Sequence, residues 1–132
     1  MKSKPKLIRY AAKLLFQFRV VIKKDSGKRR LCEERIIVLQ ANSAPAALAK
    51  AKSNGKQSEY SYSNDEGNKV YFEFIGILEL LELGVECQED EVWYDIRERI
   101  LPSERRERLI PPESKLNAVR NQQRTVNKKR KN

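Results

Sequence analysis

The sequence predicts an α+β domain: an antiparallel sheet of four to five strands with one helix packed on a face, followed by a basic tail. Three observations carry this. A long N-terminal run alternates apolar and polar residues, a single capped helical stretch follows a strand pair, and apolar residues nearly vanish beyond Glu113. The predicted order is β-β-α-β-β-β, with a basic arm over residues 1–9, the domain over 10–113 and the tail over 114–132.

From Tyr10 to Ile22 the even positions read Tyr, Ala, Leu, Phe, Phe, Val and Ile, while Lys13, Gln17 and Arg19 occupy odd ones. Period-two alternation marks a strand with one buried face. In "KKDSGKRR", Asp25, Ser26 and Gly27 supply turn chemistry, and "LCEERIIVLQA" returns as the second arm of a hairpin. Cys32 reads as a small core residue of that arm.

"ANSAPAALAKAKSNGK" reads as the helix. Ser43 is the expected N-cap, Pro45 sits in the first turn, and Gly55 is the expected terminator. Ala44, Ala47, Leu48 and Ala51 form a stripe of small residues that lets the helix lie close on the sheet. A second hairpin, "SEYSYSNDEGNKVYFEFIGILEL", turns at Asn64 to Asn68. "EVWYDIRERIL" is predicted as a last strand through Val92, Tyr94, Ile96 and Ile100, ended by Pro102. "SERRERL" then makes a short helix capped by Ser103 and stopped by Pro111 and Pro112. Beyond Glu113 only Leu116, Val119 and Val126 are large and apolar, too few to offset the entropy of ordering, so that segment is expected to be disordered in isolation.

The net charge of +10 resides in the ends. All eighteen acids lie between Asp25 and Glu113, so the body is nearly neutral and the arm and tail carry the excess. The body is itself divided. Residues 10–56 hold eleven basic and three acidic side chains, whereas residues 57–96 hold eleven acids and only Lys69. Either the blocks pair across neighbouring strands, or they create a directional field that steers a charged partner.

The strand motifs "YAAKLLFQF", "LCEERIIVLQA", "VYFEFIGILELLELG", "EVWYDIRERILP" and "ERLIPPE", in this order, resemble a family of short bacterial proteins, domain of unknown function 4288. The resemblance spans about residues 10–113. It implies an intracellular single-domain α+β protein and brings no activity, cofactor or catalytic residue.

Enzyme chemistry finds little support. Glu33, Glu34, Glu73, Asp95 and Glu98 lie in or beside predicted strands without a diagnostic spacing. Histidine is absent, and Cys32 and Cys87 have no ligand spacing, so neither a metal nor a cofactor is expected. No glycine-rich phosphate loop is present. "KVYFEFIGI" lacks the glycines of a base-stacking RNP strand, and Tyr71, Phe72 and Phe74 read as packing residues. Trp93 and Tyr94 alternate, so one of them is expected to be accessible. Arg9, Lys13 and Gln17 interrupt the opening apolar run, which fits neither a secretory leader nor a membrane span; a cytoplasmic location is the expectation.

The tail is the strongest functional signal. Lys115, Arg120, Arg124, Lys128, Lys129, Arg130 and Lys131 stand without a single acid, the electrostatic footprint of phosphate binding. Lys28, Arg29 and Arg30 in the first turn add to it. The expected function is a non-enzymatic accessory protein that associates with nucleic acid or a ribonucleoprotein particle. The alternative is a protein–protein adaptor or inhibitory module using the acidic second half or an open sheet edge. A tail that serves only solubility is the plainest reading.

Overall fold

The computed structural model describes residues 6–84 and 90–121. Four strands, β1 (Ile8–Val21), β2 (Leu31–Ala41), β3 (Tyr60–Ser63) and β4 (Lys69–Leu83), form one antiparallel sheet in the order β2-β1-β4-β3. The helix α1 (Ala44–Gln57) connects the two hairpins. The short helix α2 (Arg106–Leu109) and a 3₁₀ turn at Glu113–Lys115 come later. The chain divides into two units, Met1–Tyr94 and Asp95–Asn132; the sheet and α1 make the first.

β1 is the centre of the sheet, pairing with β2 on one side and β4 on the other. Its alternation does what period two demands. Tyr10, Ala12, Leu14 and Phe16 are buried on the face that α1 covers. Phe72 of β4 stacks on Phe16 with ring centroids 4.6 Å apart, and Phe18 and Tyr60 flank Phe72 at 4.8 and 4.9 Å. Two register shifts between β1 and β4, at Lys13/Leu14 and Leu15/Phe16, leave Leu78 and Ile75 without partners on β1. Such bulges increase the local twist of a sheet.

α1 starts where predicted: Ser43 Oγ accepts a hydrogen bond from Ala46 N at 3.3 Å, and Pro45 lies in the first turn. Its end differs. The helix runs through Gly55 to Gln57, and Ser58 closes it with backbone and side-chain bonds to Asn54 O. Gly55 instead continues the buried stripe Ala47, Ala51, Gly55 at a spacing of four. A Cβ at Gly55 would stand 2.5 Å from Phe74 Cδ1, so the glycine is a close-approach residue and not a terminator. Ala44, at the helix start, is exposed.

The second hairpin turns where predicted: Asn64 Oδ1 accepts from Glu66 N and Asn68 N, and Gly67 takes φ +80°. Three expectations are corrected. Residues 91–100 form no strand; their alternation fails at Glu98, and β-propensity without a neighbouring ladder fixes nothing. Ser103 does not cap α2; its hydroxyl bonds Glu104 Oε1, and the helix begins after Arg105. Cys32 is exposed, because β2 is an edge strand and Cys32 sits opposite Gln17 on the face away from α1. Cys87 lies outside the described residues. Trp93 is half-buried and Tyr94 exposed.

Gly55→Ala is expected to lower the unfolding free energy by about 1–2 kcal/mol, overpacking outweighing the helix-propensity gain of about 1 kcal/mol. Urea unfolding checks this. Ser53→Ala on the exposed side of α1 serves as control and is expected to be neutral or slightly stabilising. Phe74→Leu added to Gly55→Ala should recover part of the loss.

Candidate nucleic-acid interface

The connection between β1 and β2 is more structured than its composition suggests. Ile22 and Asp25 exchange both backbone hydrogen bonds, at 2.8 and 2.9 Å, around a two-residue turn. Lys23 and Lys24 fill that turn at φ +50° and +66°. Positive φ at both central positions is the type I′ pattern, which usually takes Asn-Gly. Lysines held there cost on the order of 1 kcal/mol each. The turn predicted at Asp25–Gly27 thus begins two residues later than the true reversal at Lys23 and Lys24.

Beyond Asp25 the chain bows outward. Five residues, 26–30, stand opposite three of β1, because Ile22 faces Asp25 while Phe18 faces Leu31. Asp25 Oδ1 accepts from Gly27 N at 3.0 Å, and Gly27 adopts φ +71°. Arg30 then reaches back, giving Nε and Nη2 to Gly27 O at 3.3 and 3.2 Å and Nη1 to Gln17 Oε1 at 3.0 Å.

A hydrogen-bonded chain ties this bow to β4. Gln17 Nε2 donates to Glu73 Oε1 at 3.1 Å, and Arg19 clasps the same carboxylate with Nε at 2.7 Å and Nη2 at 3.0 Å. Arg19 Nη1 returns to Ser26 Oγ at 3.3 Å, and its guanidinium lies 4.5 Å over the Tyr71 ring. The side chains of Arg19 and Glu73 are 28% and 31% exposed, so the pair is half-buried and still touches water. The Arg19 hydrogen bond holds the Glu73 carboxyl below its usual range, against a desolvation that would raise it. Arg19 is raised by the same bond.

With Glu73 saturated and Asp25 turned into its own loop, the cations of the hairpin are left over. Lys23, Lys24, Lys28 and Arg29 are exposed, and among the described residues no carboxylate pairs with them. Of the residues expected from sequence, Lys28 and Arg29 therefore stand free on this hairpin, while Arg30 is spent bracing it. Lys23 and Lys24 were not expected from sequence, because the turn formers Asp25, Ser26 and Gly27 beside them carry the stronger local signal. Lys115 ends the 3₁₀ turn, and Arg120 sits in the helical stretch 117–121; both are exposed and belong to the second unit. Arg124, Lys128, Lys129, Arg130 and Lys131 lie outside the described residues.

The neighbouring turn has the opposite sign. Val21 pairs with Lys69, so the Asn64–Asn68 turn, with Asp65 and Glu66, lies at the same end of the sheet. Of the five ion pairs among the described residues, only Arg19–Glu73 and Lys56–Glu59 join the basic and acidic blocks. Among the described residues the blocks thus lie side by side with two ion pairs between them. A shallow recess of 270 Å³ lies at the β3–β4 edge, lined by Glu59, Tyr60, Ser61, Tyr71, Phe72 and Glu73. Its carboxylates are engaged: Glu59 accepts from Phe74 N at 2.9 Å and neighbours Lys56, and Glu73 is held by Arg19. Among the described residues no cluster of acids and cysteines is placed to hold a metal ion, and no helix is long and apolar enough to cross a membrane.

A small antiparallel α+β domain with a braced basic hairpin is the class this geometry defines. The family model for the domain of unknown function DUF4288 matches residues 9–93, and the chain belongs to that family. The match takes in the sheet, α1 and the basic hairpin, and stops before most of the last two motifs quoted above. Neither the curated proteins nor the solved structures yield a match.

Glu73→Gln should destabilise the domain at neutral pH, because Arg19 keeps its charge and loses its counterion. The folded carboxyl titrates below its unfolded value of about 4.3, so its contribution is complete above that pH and is lost as pH falls through the depressed folded value. Thermal midpoints of the two proteins are therefore expected to differ at pH 7 and converge at the acid limit.

Proposed function

We propose that the protein is a non-enzymatic accessory factor that binds nucleic acid, alone or in a ribonucleoprotein particle, mainly through phosphate. The observation that supports this best is the hairpin of residues 22–30, which holds Lys23, Lys24, Lys28 and Arg29 unpaired around one reversal. Two features favour a binding role over simple solubility. The lysines occupy strained left-handed positions, and such strain concentrates at functional sites. The bow is also braced by Arg30, Gln17, Arg19 and Glu73, so the cations come on a fixed support and little ordering entropy is lost on contact.

Asp65 and Glu66 on the adjoining turn repel a polyanion, which directs a phosphate track away from β3 and toward the β2 side. The tail, with Lys115, Arg120, Arg124 and Lys128 to Lys131, adds a second set of cations. Contacts of this kind read charge and spacing with little regard for base sequence.

Salt titration of binding to single-stranded RNA and to duplex DNA tests the reading. Changing Lys23, Lys24, Lys28 and Arg29 together to serine should flatten the slope of log K against log salt by about 3 units. Removal of residues 115–132 should flatten it by up to about 5 more on single strands. Full-length protein with no salt-sensitive binding to either nucleic acid would sink the proposal, and the adaptor reading would take its place.

A further inference from the structure

We propose that β2 pairs edge to edge, antiparallel, with β2 of a second copy of this chain, about a two-fold axis at Ile37. This rests on the sheet alone and stands apart from the nucleic-acid reading. The sheet has two outer sides. On one, β3 covers only four residues of β4, and the stretch of β4 beyond it is broken by the two register shifts. On the other, β2 runs eleven residues in unbroken register with β1, and among the described residues no strand lies outside it. It carries no proline and no bulge, two of the devices that blunt an edge. Its charges, Glu33, Glu34 and Arg35, are grouped in one half, and Lys50 of α1 reaches one outward carbonyl, that of Gln40. Leu31 is 79% exposed, and Ile36 and Val38 are each 43% exposed.

The strand itself selects a self-complementary register. Residues that face each other across an antiparallel ladder share a face of the sheet, so an odd residue of β2 must meet an odd one and an even residue an even one. An axis at Glu34 sets that carboxylate against its own copy, and one at Arg35 does the same to the guanidinium. An axis at Ile36 sets Glu33 against Leu39, Glu34 against Val38 and Arg35 against Ile37, three charges on large apolar partners. An axis at Ile37 leaves one, Arg35 against Leu39. At Ile37, Ile36 faces Val38, Arg35 faces Leu39 and Glu34 faces Gln40; no like charges meet, and the exposed branched residues cover each other. The backbone agrees. Lys50 Nζ bonds Gln40 O at 2.7 Å, which marks the even residues of β2 as those whose peptide groups turn outward. Ile36 and Val38 then exchange the ladder hydrogen bonds. The axis also places the two basic hairpins at opposite ends of the joined strands, roughly 50 Å apart.

Sedimentation of the full chain tests this, with the subunit mass at 15.4 kDa. The wild type is expected as a dimer, and Ile36→Lys with Val38→Lys as a folded monomer. Ile36→Glu with Val38→Glu should also be monomeric, and mixing the two variants should restore a dimer of one chain of each. As an independent readout, Ile37→Cys in a Cys32→Ser, Cys87→Ser background should oxidise to a disulfide-linked dimer, since the axis brings the two positions within disulfide reach. A wild type that stays monomeric at millimolar concentration overturns the proposal, even if it then takes up an extended peptide at this edge. So does a dimer that both charged variants leave intact, or one that mixing does not restore.

Discussion

Glu73 is the carboxylate on which the basic hairpin of the domain depends. It lies on β4, yet through Arg19, Gln17 and Arg30 it fixes the path of a loop between β1 and β2. A half-buried ion pair stabilises little by itself, because solvent screening and partial desolvation cancel much of the attraction. What it contributes here is geometry: bidentate contact with Arg19 leaves one arrangement for the guanidinium, and the free Nη1 then reaches Ser26. The same contact has an electrostatic consequence. By absorbing Arg19, and through Gln17 bracing Arg30, Glu73 sorts the basic residues of the first hairpin into those that hold the loop and those that face water.

The core makes that sorting possible. α1 buries only small residues, Ala47, Ala51 and Gly55, against the sheet with Ala46 beside them, so its axis lies close and the aromatic residues of β1 and β4 fill the space. Phe16, Phe72 and Phe74 bury their rings on that side, and Arg35 lies 4.6 Å over Phe16, covering its face from the edge strand. With the apolar volume concentrated under one helix, the opposite face carries Lys13, Gln17, Arg19 and Glu73 in register across the two central strands. Polar clamps of this kind need a half-open face: fully buried they would be costly, and fully exposed they would be too weak to set a loop.

Much of this was legible in the sequence wherever the signal was local. The alternation of β1, the Ser43 cap and the Asn64–Asn68 turn are each decided by residues a few positions apart. The polar clamp was not legible, because the register of Gln17 opposite Glu73 joins residues 56 apart and no pattern within either strand announces it. Cys32 was misplaced for a related reason. β2 carries apolar residues on both faces, so its period does not say which side α1 covers. Gly55 shows a third limit, since a glycine near a helix end signals either termination or close approach, and only the ring of Phe74 decides. The absent fifth strand shows the last: alternation describes a side-chain pattern, whereas a strand exists only where a neighbour supplies the ladder.

The family match gives the two basic regions different standing. Residues 22–30 lie inside the matched segment, whereas every cation from Lys115 onward lies outside it. A hairpin inside the matched segment takes its geometry from β1 and β4, and its cations keep a fixed spacing. The cations from Lys115 onward contribute charge whose effect falls away steeply with salt. If both touch phosphate, the hairpin sets where the backbone runs and the tail sets how tightly it is held at a given ionic strength. The acidic turn beside the hairpin sharpens the first of these roles, because a repulsive neighbour narrows the paths open to a polyanion more than further attraction would.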